Sequence, residues 1–355
     1  MTEIGGLTRE GALFANPARD LEYVPGDPPE PGHAREIAAG LWWLRVPLPM
    51  ELNHINIWLH EDAHGWTIVD TGMAEDVCRQ AWESFDRTVL DGRPLRRVFI
   101  THDHPDHMGL AGWLAERYGA QVWMSAWGHE SSQRFLRMDP DEVQTRTADF
   151  LAAHGMDVAA FRSTGGGRDH RTWFGGLVDI DGKPGDGTVL QMGGGHWRAI
   201  ETGGHCGGHL CLHDAERELL ISGDQVLPQI SPNVSVLASA PEADPLREFL
   251  SSLERLRRCG TDTLVLPSHG RPFRGLERRI DALTGHHHRE LDKLREFYRE
   301  PHTANDALPV MFSRVLRGIH RMLGLGEALA HLHYLRADGE IERFEEGGVF
   351  RFVRT

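Results

Sequence analysis

The chain has 355 residues, 40% of them hydrophobic, which is enough for two domains with buried cores. It contains no run of about 18 apolar residues, which excludes a long apolar membrane span, and its first residues lack a signal-peptide pattern, so a cytoplasmic location is expected. The net charge of −14 falls entirely within residues 1–282, because residues 283–355 carry 11 basic and 11 acidic side chains. An acidic surface repels phosphate backbones, so nucleic acid is a disfavoured partner and a small molecule an expected one.

The first part of the chain is predicted to be a leader followed by strands. Residues 1–36 form the N-terminal leader, in which the prolines and glycines of residues 25–32 interrupt regular structure. Short apolar runs predict strands at 41–46, 55–59 and 66–69, and apolar residues at helical spacing predict a helix at 75–89.

Three histidines and two aspartates lie within six residues directly after the apolar run Val98–Ile100, which predicts a buried strand. In an extended segment His102 and His104 point to the same side, so one metal ion can contact both. Asp106 and His107 follow a proline turn at the start of the next helix and face the same cavity from its other side. The pattern therefore predicts a loop that binds two metal ions, in preference to a solvated polar loop.

The alternation of predicted strands and helices continues with a helix at 108–118 and a strand at 121–124. This alternation indicates a layered α/β domain. Residues 127–190 show no clear periodicity. Their aromatic side chains include candidates for the wall of a substrate pocket, namely Trp127, Trp173 and Phe174. Aromatic residues are as often part of a core, so both interpretations stay open.

Three later strands each lead to a further candidate ligand. The strand predicted at 197–201 leads to His205, that at 218–222 to Asp224, and that at 263–266 to His269. A strand at 210–212 and an amphipathic helix at 245–259 complete this part.

We place a domain boundary after residue 282, which gives a catalytic domain at 37–282 and a second domain at 283–355. The second domain is predicted to have three helices, at 286–298, from 304 onward and at 326–335, and a hairpin of 341–344 with 349–353. Three helices and a hairpin resemble a winged helix. We expect this domain to serve in dimerisation or as a lid over the pocket, so a homodimer is possible. The His286–His288 triplet is predicted to lie on a solvated helix face and not in a metal site.

Taken in order, these motifs resemble those of the metallo-β-lactamase fold hydrolases. Residues 102–107 match the His-x-His-x-Asp-His motif of that family, and Asp70-Thr71-Gly72 matches its early Asp-Thr-Gly turn. The segments around His205, Asp224 and His269 match its later ligand motifs. The resemblance implies an α/β fold, a four-layer αββα sandwich, followed here by a small winged-helix-like α+β domain.

The resemblance also implies two divalent metal ions, with Zn²⁺ the first choice and Fe²⁺ or Mn²⁺ as alternatives. By this resemblance His102, His104 and His205 hold the first ion, Asp106, His107 and His269 hold the second, and Asp224 bridges them. Asp70 and His209 support the site without binding metal. Asp106 is also the catalytic candidate, as the carboxylate that receives a proton from the tetrahedral intermediate.

The favoured function is therefore a dinuclear hydrolase that attacks a small acyl substrate, a thioester or another ester or lactone, with a metal-bridging hydroxide. Asp224 stands where some β-lactamases have Cys, so the chain looks more like the glyoxalase-II branch. One alternative is a mononuclear iron dioxygenase of the same fold. Another is an endoribonuclease-like phosphodiesterase, which the acidic charge disfavours because backbone binding needs clustered Lys and Arg.

Overall fold

The computed structural model describes residues 21–166, 169 and 171–355. Most of the predicted leader, residues 1–20, lies outside these ranges. Its described end joins the fold, because β1 (Glu22–Tyr23) pairs antiparallel with Phe273 and Arg274. Residues 24–33 have no regular structure, as the prolines and glycines there predict.

Two mixed sheets form the centre of the molecule. The first contains β2 (Ala34–Ala38), β3 (Leu41–Pro47), β4 (His54–Asp62), β5 (Gly65–Val69), β6 (Leu95–Phe99) and β7 (Gln121–Trp123), in that spatial order. The second contains β8 (Val189–Met192), β9 (Gly195–Thr202), β10 (His209–Asp214), β11 (Leu219–Gly223), β12 (Leu264–Pro267) and β13 (Phe273–Arg274). Its spatial order is β1-β13-β12-β11-β10-β9-β8.

The two longest helices both lie after residue 275. In chain order, the helices are α1 (Asp76–Phe85), α2 (Pro105–Met108), α3 (Ala111–Tyr118), α4 (Ala126–Arg137), α5 (Pro140–Ala153), α6 (Val158–Ser163), α7 (Pro245–Leu256), α8 (Leu276–Phe297), α9 (Leu308–Met311) and α10 (Ile319–Ala337). A π-helical turn, Asp86–Leu90, extends α1, and 3₁₀ turns occupy Arg171–Phe174, Arg257–Cys259 and Asn305–Ala307. A hairpin of β14 (Ile341–Glu346) and β15 (Val349–Arg354) ends the chain.

Three apolar clusters define four layers. Trp43 and Trp58 of the first sheet pack against Trp197 and Leu212 of the second, so the sheets face each other. The outer face of the first sheet packs on α1 and α3, and the outer face of the second packs on α7, α8 and α10. The predicted four-layer αββα sandwich is therefore confirmed.

The carboxyl-terminal part consists of helices and a small sheet, as predicted, but it is not separated from the sandwich. The proposed boundary after residue 282 falls inside α8, which is one continuous helix of 22 residues. Residues of α7, α8, α10 and β15 also share one apolar cluster. None of the described helices is long and apolar enough to span a membrane.

The expected position of the His286–His288 triplet is wrong for one of its members. His287 is fully buried, whereas His288 is exposed. The reason is that α8 begins at Leu276, so the triplet lies in mid-helix against α10 and not at a solvated helix start.

Candidate metal centre

The candidate site lies where the two sheets meet at one edge. Backbone hydrogen bonds join the sheets there, from Leu210 N to the Thr101 carbonyl at 2.9 Å and from Asn56 N to the Ser268 carbonyl at 2.7 Å. The metal loop leaves β6, and the loops after β9, β11 and β12 approach it from the second sheet. The loop ends of both sheets therefore surround one small volume.

All seven predicted ligand side chains come together in this volume, in two groups. In each group the candidate donor atoms lie within 4.8 Å of one another; the groups are His102, His104, His205 and Asp224, and Asp106, His107 and His269. This is the division that the resemblance implies, with Asp224 close to both groups.

Asp224 lies between the two groups, and its two oxygens face opposite sides. Oδ1 is 3.5 Å from His107 Nε2 and 3.4 Å from His269 Nε2. Oδ2 is 3.5 Å from His205 Nε2. Asp106 Oδ2 lies 3.3 Å from His269 Nε2 on the far side of the second group. A carboxylate with this orientation can contact two cations at once.

Several inward-facing atoms of the site lack a protein partner. Among the described residues, His102 Nε2, His107 Nε2, His269 Nε2 and Asp224 Oδ1 are buried and accept or donate no hydrogen bond. Buried polar atoms without partners are rare, because each costs free energy. Imidazole nitrogens with carboxylate oxygens suit Zn²⁺, Fe²⁺ or Mn²⁺, so the donor set fits two divalent ions.

Asp70 orients the metal loop from behind. Its Oδ2 accepts a hydrogen bond from His107 Nδ1 at 2.8 Å, and its Oδ1 accepts one from Thr101 N at 2.8 Å. With Nδ1 protonated, His107 presents the lone pair of Nε2 to the site. A carboxylate with these contacts can orient a ligand without binding metal itself, and that role stays a prediction for Asp70.

Backbone carbonyls orient two further histidines. His205 Nδ1 donates to the Asn233 carbonyl at 2.8 Å, and His269 Nδ1 donates to the His54 carbonyl at 2.7 Å. The Nε2 atoms of both rings are therefore free of protons in the neutral form and face the site.

His209 has both ring nitrogens engaged by the protein. Its Nε2 accepts a hydrogen bond from Asp224 N at 3.2 Å, so its Nδ1 donates to Thr202 Oγ1 at 2.9 Å. This leaves no ring nitrogen for an ion. His209 instead fixes the backbone of Asp224 and packs beside the His102 ring, with 4.8 Å between the ring centroids.

The pKa values divide the site into a neutral and a charged half. Burial, together with the neighbouring histidines, holds the pKa of His102 well below its ordinary value and lowers that of His104 to about 3. Burial also acts on His269, but the carboxylates of Asp224 and Asp106 outweigh it and raise its pKa to about 9. Without metal, protons on His107 and His269 balance the carboxylates; metal ions would replace them.

The three pocket candidates occupy different environments. Trp127 is 48% exposed, and its ring lies so close to Gly207 that a Cβ there would be 2.5 Å from it. It therefore covers the loop that carries His205. The Phe174 ring is buried against Phe135 in the core of the first sheet, and Trp173 packs against the same cluster. Of the two interpretations that the sequence leaves open, these contacts favour a core role for Phe174 and Trp173.

Sequence reasoning missed several residues that support the site. Asn233 and His54 act through backbone carbonyls, which leave no side-chain pattern. The His54 ring also accepts a hydrogen bond from Gly270 N at 2.9 Å, next to His269. Thr101 was visible in the sequence beside the metal loop, and its hydroxyl bonds both oxygens of Asp70.

Comparison with known families decides the classification. Residues 51–269 match the family model described as the metallo-beta-lactamase superfamily. The chain belongs to the metallo-beta-lactamase superfamily. Residues 291–355 match a second model, the metallo-beta-lactamase-like C-terminal domain. The predicted superfamily membership is thus confirmed, and the superfamily implies divalent metals.

Similar proteins agree on the fold and on hydrolase chemistry. A beta-lactamase domain protein from Burkholderia ambifaria, solved by crystallography, has 38% identity and a TM-score of 0.86 over 94% of this chain and 97% of that chain. Acyl-coenzyme A thioesterase MBLAC2 from Bos taurus is 26% identical over 69% of this chain and 82% of that protein. Hydroxyacylglutathione hydrolase GloC from Haemophilus influenzae is 23% identical over 47% of this chain and 63% of that protein.

Proposed function

We propose that this protein is a dinuclear metal-dependent hydrolase of a small acyl substrate, and that the substrate is a thioester. The observation that carries the proposal is the orientation of Asp224, whose oxygens face His205 on one side and His107 and His269 on the other. A carboxylate in this orientation would hold one ion on each of its two sides.

When bound, the two ions supply a hydroxide nucleophile at neutral pH and polarise the acyl oxygen. The protein would position the two ions through histidine ligands, whose rings are held by Asp70 and by backbone carbonyls. Burial opposes ionisation of Asp106, but His107 and His269 lower its pKa to about 2. Asp106 is therefore ionised before metal binds, and we assign to it the uptake of the proton released during hydrolysis because its carboxylate lies beside both histidines in the site.

The thioester class is supported by the relatives named as an acyl-coenzyme A thioesterase and a hydroxyacylglutathione hydrolase. The acidic charge of residues 1–282 supports a small-molecule substrate over a nucleic acid.

The test combines metal analysis with a substrate panel on the untagged full chain. Acyl-coenzyme A esters, an acylglutathione and a lactone are offered, and thiol or acid release is followed in the parent and in Asp224→Ala. We expect thioester cleavage by the parent, and joint loss of the site's two metal equivalents and of activity in the variant. Asp262→Ala, on an exposed turn, is the control and should retain both.

Two results would contradict the proposal. If Asp224→Ala keeps both metal and activity, the ligand assignment is wrong. If the parent binds a single iron in this site and consumes oxygen with thiol substrates, the protein is a dioxygenase of the same fold and not a hydrolase.

A further inference from the structure

A second cluster of histidine and carboxylate side chains lies between α8 and α10, outside the centre described above. His286 and His287 come from α8, and Glu327 and His331 come from α10. His287 and His331 are fully buried and Glu327 is 2% exposed, whereas His286 is half-buried. One donor atom from each of His286, His287 and Glu327 lies within 4.8 Å of the other two.

A chain of hydrogen bonds determines which nitrogen of His287 carries a proton. His331 Nδ1 lies 2.8 Å from the Glu327 carbonyl, which can only accept, so this nitrogen is protonated. His331 Nε2 is then an acceptor, and His287 Nδ1 donates to it at 3.2 Å. The lone pair of His287 is therefore on Nε2, the nitrogen suited to bind a cation. Metal-binding imidazoles are commonly oriented in this way, by a hydrogen bond that the other ring nitrogen donates.

The atoms that face the cluster lack partners. Within the described part of the chain, neither His287 Nε2 nor Glu327 Oε2 has a hydrogen-bond partner, although both are buried. Glu290 is also buried nearby, but its carboxylate pairs with Lys293 Nζ at 2.8 Å. Burial, together with Glu290, raises the pKa of Glu327 to about 8. A carboxyl group and an imidazole lone pair that both lack partners in one buried space can be satisfied together by one cation, which would displace the carboxyl proton.

We propose that His286, His287 and Glu327 form a third metal site that joins α8 to α10. The site would bind Zn²⁺ or a similar divalent ion. Two imidazole nitrogens and one carboxylate oxygen are a common Zn²⁺ ligand set. The half-buried position of His286 provides the route from solvent. The ion would clamp the carboxyl-terminal helices to α8, which starts six residues after Gly270, beside the candidate ligand His269.

The test measures metal stoichiometry in matched variants of the untagged full chain, since a histidine tag would itself bind zinc. Each protein is stripped with a chelator, reloaded with Zn²⁺, desalted and analysed for zinc per chain. We expect His286→Ala and Glu327→Gln each to bind one equivalent fewer than the parent. His288→Ala removes the exposed neighbour of the same triplet and should bind as much as the parent.

Repeating the series in an Asp224→Ala background separates this site from the sandwich centre, because the two share no ligand. The same difference of one equivalent is expected there. Glu327→Gln is nearly isosteric and stays neutral in the buried position, and His286→Ala changes a half-buried side chain, so both variants should fold. Equal zinc content in the parent, His286→Ala and Glu327→Gln would overturn the proposal and leave a metal-free polar cluster.

Discussion

Asp70 connects the two halves of the metal loop through one carboxylate. It adopts a left-handed backbone conformation, with φ of 68°, which costs a residue other than glycine roughly 1–3 kcal/mol. Asp is among the residues that tolerate this region best. The hydrogen bonds to Thr101 and His107 are made from this conformation, so they offset the strain.

The role of Asp70 leads to a prediction for Asp70→Asn. The amide keeps the size of the side chain, but its nitrogen can donate to His107 Nδ1 and so shift the ring proton to Nε2, which faces the site. Loss of such a supporting carboxylate typically weakens metal binding by about 10- to 100-fold. Competition with a chelating dye would measure the change. Asp76→Asn, an exposed residue at the start of α1, is the control, and equal affinity in both variants would contradict the prediction.

The charged half of the site predicts proton release when metal binds. Because the carboxylates raise the pKa of His269 to about 9 and that of His107 well above its ordinary value, both rings carry protons at pH 7 without metal. Cations bind only the neutral rings, so binding releases protons and weakens as the pH falls. Calorimetry in two buffers of different ionisation enthalpy should give different binding enthalpies at pH 7. Identical enthalpies would show that no proton is released.

The seven candidate metal ligands could be recognised from the sequence, because each belongs to a short local motif or follows a predicted strand. His102 to His107 lie within six residues of the chain, and His205, Asp224 and His269 each follow an apolar run. The groups that orient them could not be recognised. The carbonyls of Asn233 and His54 meet His205 and His269 only after the two sheets pack together, and a carbonyl is present in every residue.

At the level of elements, the start of α8 was predicted ten residues too late, because the helix was expected only after the domain boundary placed at residue 282. Leu276, Ile280 and Leu283 are nevertheless spaced for one helix face, and all three are buried. This helix and α10 pack together, and α10 contacts the segment after Asn233. Val236 N donates to the Gly326 carbonyl at 3.0 Å.

Two glycines inside these helices predict opposite effects of the same substitution. A Cβ at Gly326 would lie 2.9 Å from the Val236 carbonyl and 2.7 Å from Ser235 Cβ, whereas a Cβ at Gly285 would meet only the flexible end of Arg289 at 3.3 Å. Gly326→Ala should destabilise the protein by about 1–3 kcal/mol through overpacking. Gly285→Ala should stabilise it by about 0.5–1 kcal/mol, because alanine favours helix. Denaturant unfolding would measure both, and equal effects would contradict the packing argument.

At the scale of the whole molecule, the carboxyl-terminal part is joined to the sandwich by a common core. Phe249 and Leu253 of α7 share an apolar cluster with Leu325 and Leu329 of α10 and with Phe352 of β15. The sequence predicts most strands of the sandwich and the helices and hairpin of the carboxyl-terminal part, but it does not predict that the two share a core. Hydrophobic spacing shows which face of a helix is buried, and it does not show what that face packs against.

This common core predicts that the chain cannot be divided after residue 282. Burying each leucine contributes about 1.5–3 kcal/mol, so the four buried leucines of α10 at positions 325, 329, 332 and 335 together contribute about 6–12 kcal/mol. A whole domain is stable by only about 5–15 kcal/mol. A chain ending at residue 282 should therefore bind a hydrophobic dye and lose cooperative unfolding.

A point substitution tests the same core in the full chain. Leu329→Ala should lower the free energy of unfolding by about 2–5 kcal/mol, because it leaves a cavity between α10 and its neighbours. Val315→Ala, at a position 84% exposed, should change it by less than about 0.5 kcal/mol. If the sandwich were independent of the carboxyl-terminal helices, Leu329→Ala would split unfolding into two transitions and leave the sandwich transition unchanged. A single transition at lower denaturant concentration is expected, since α7 and α8 face both parts.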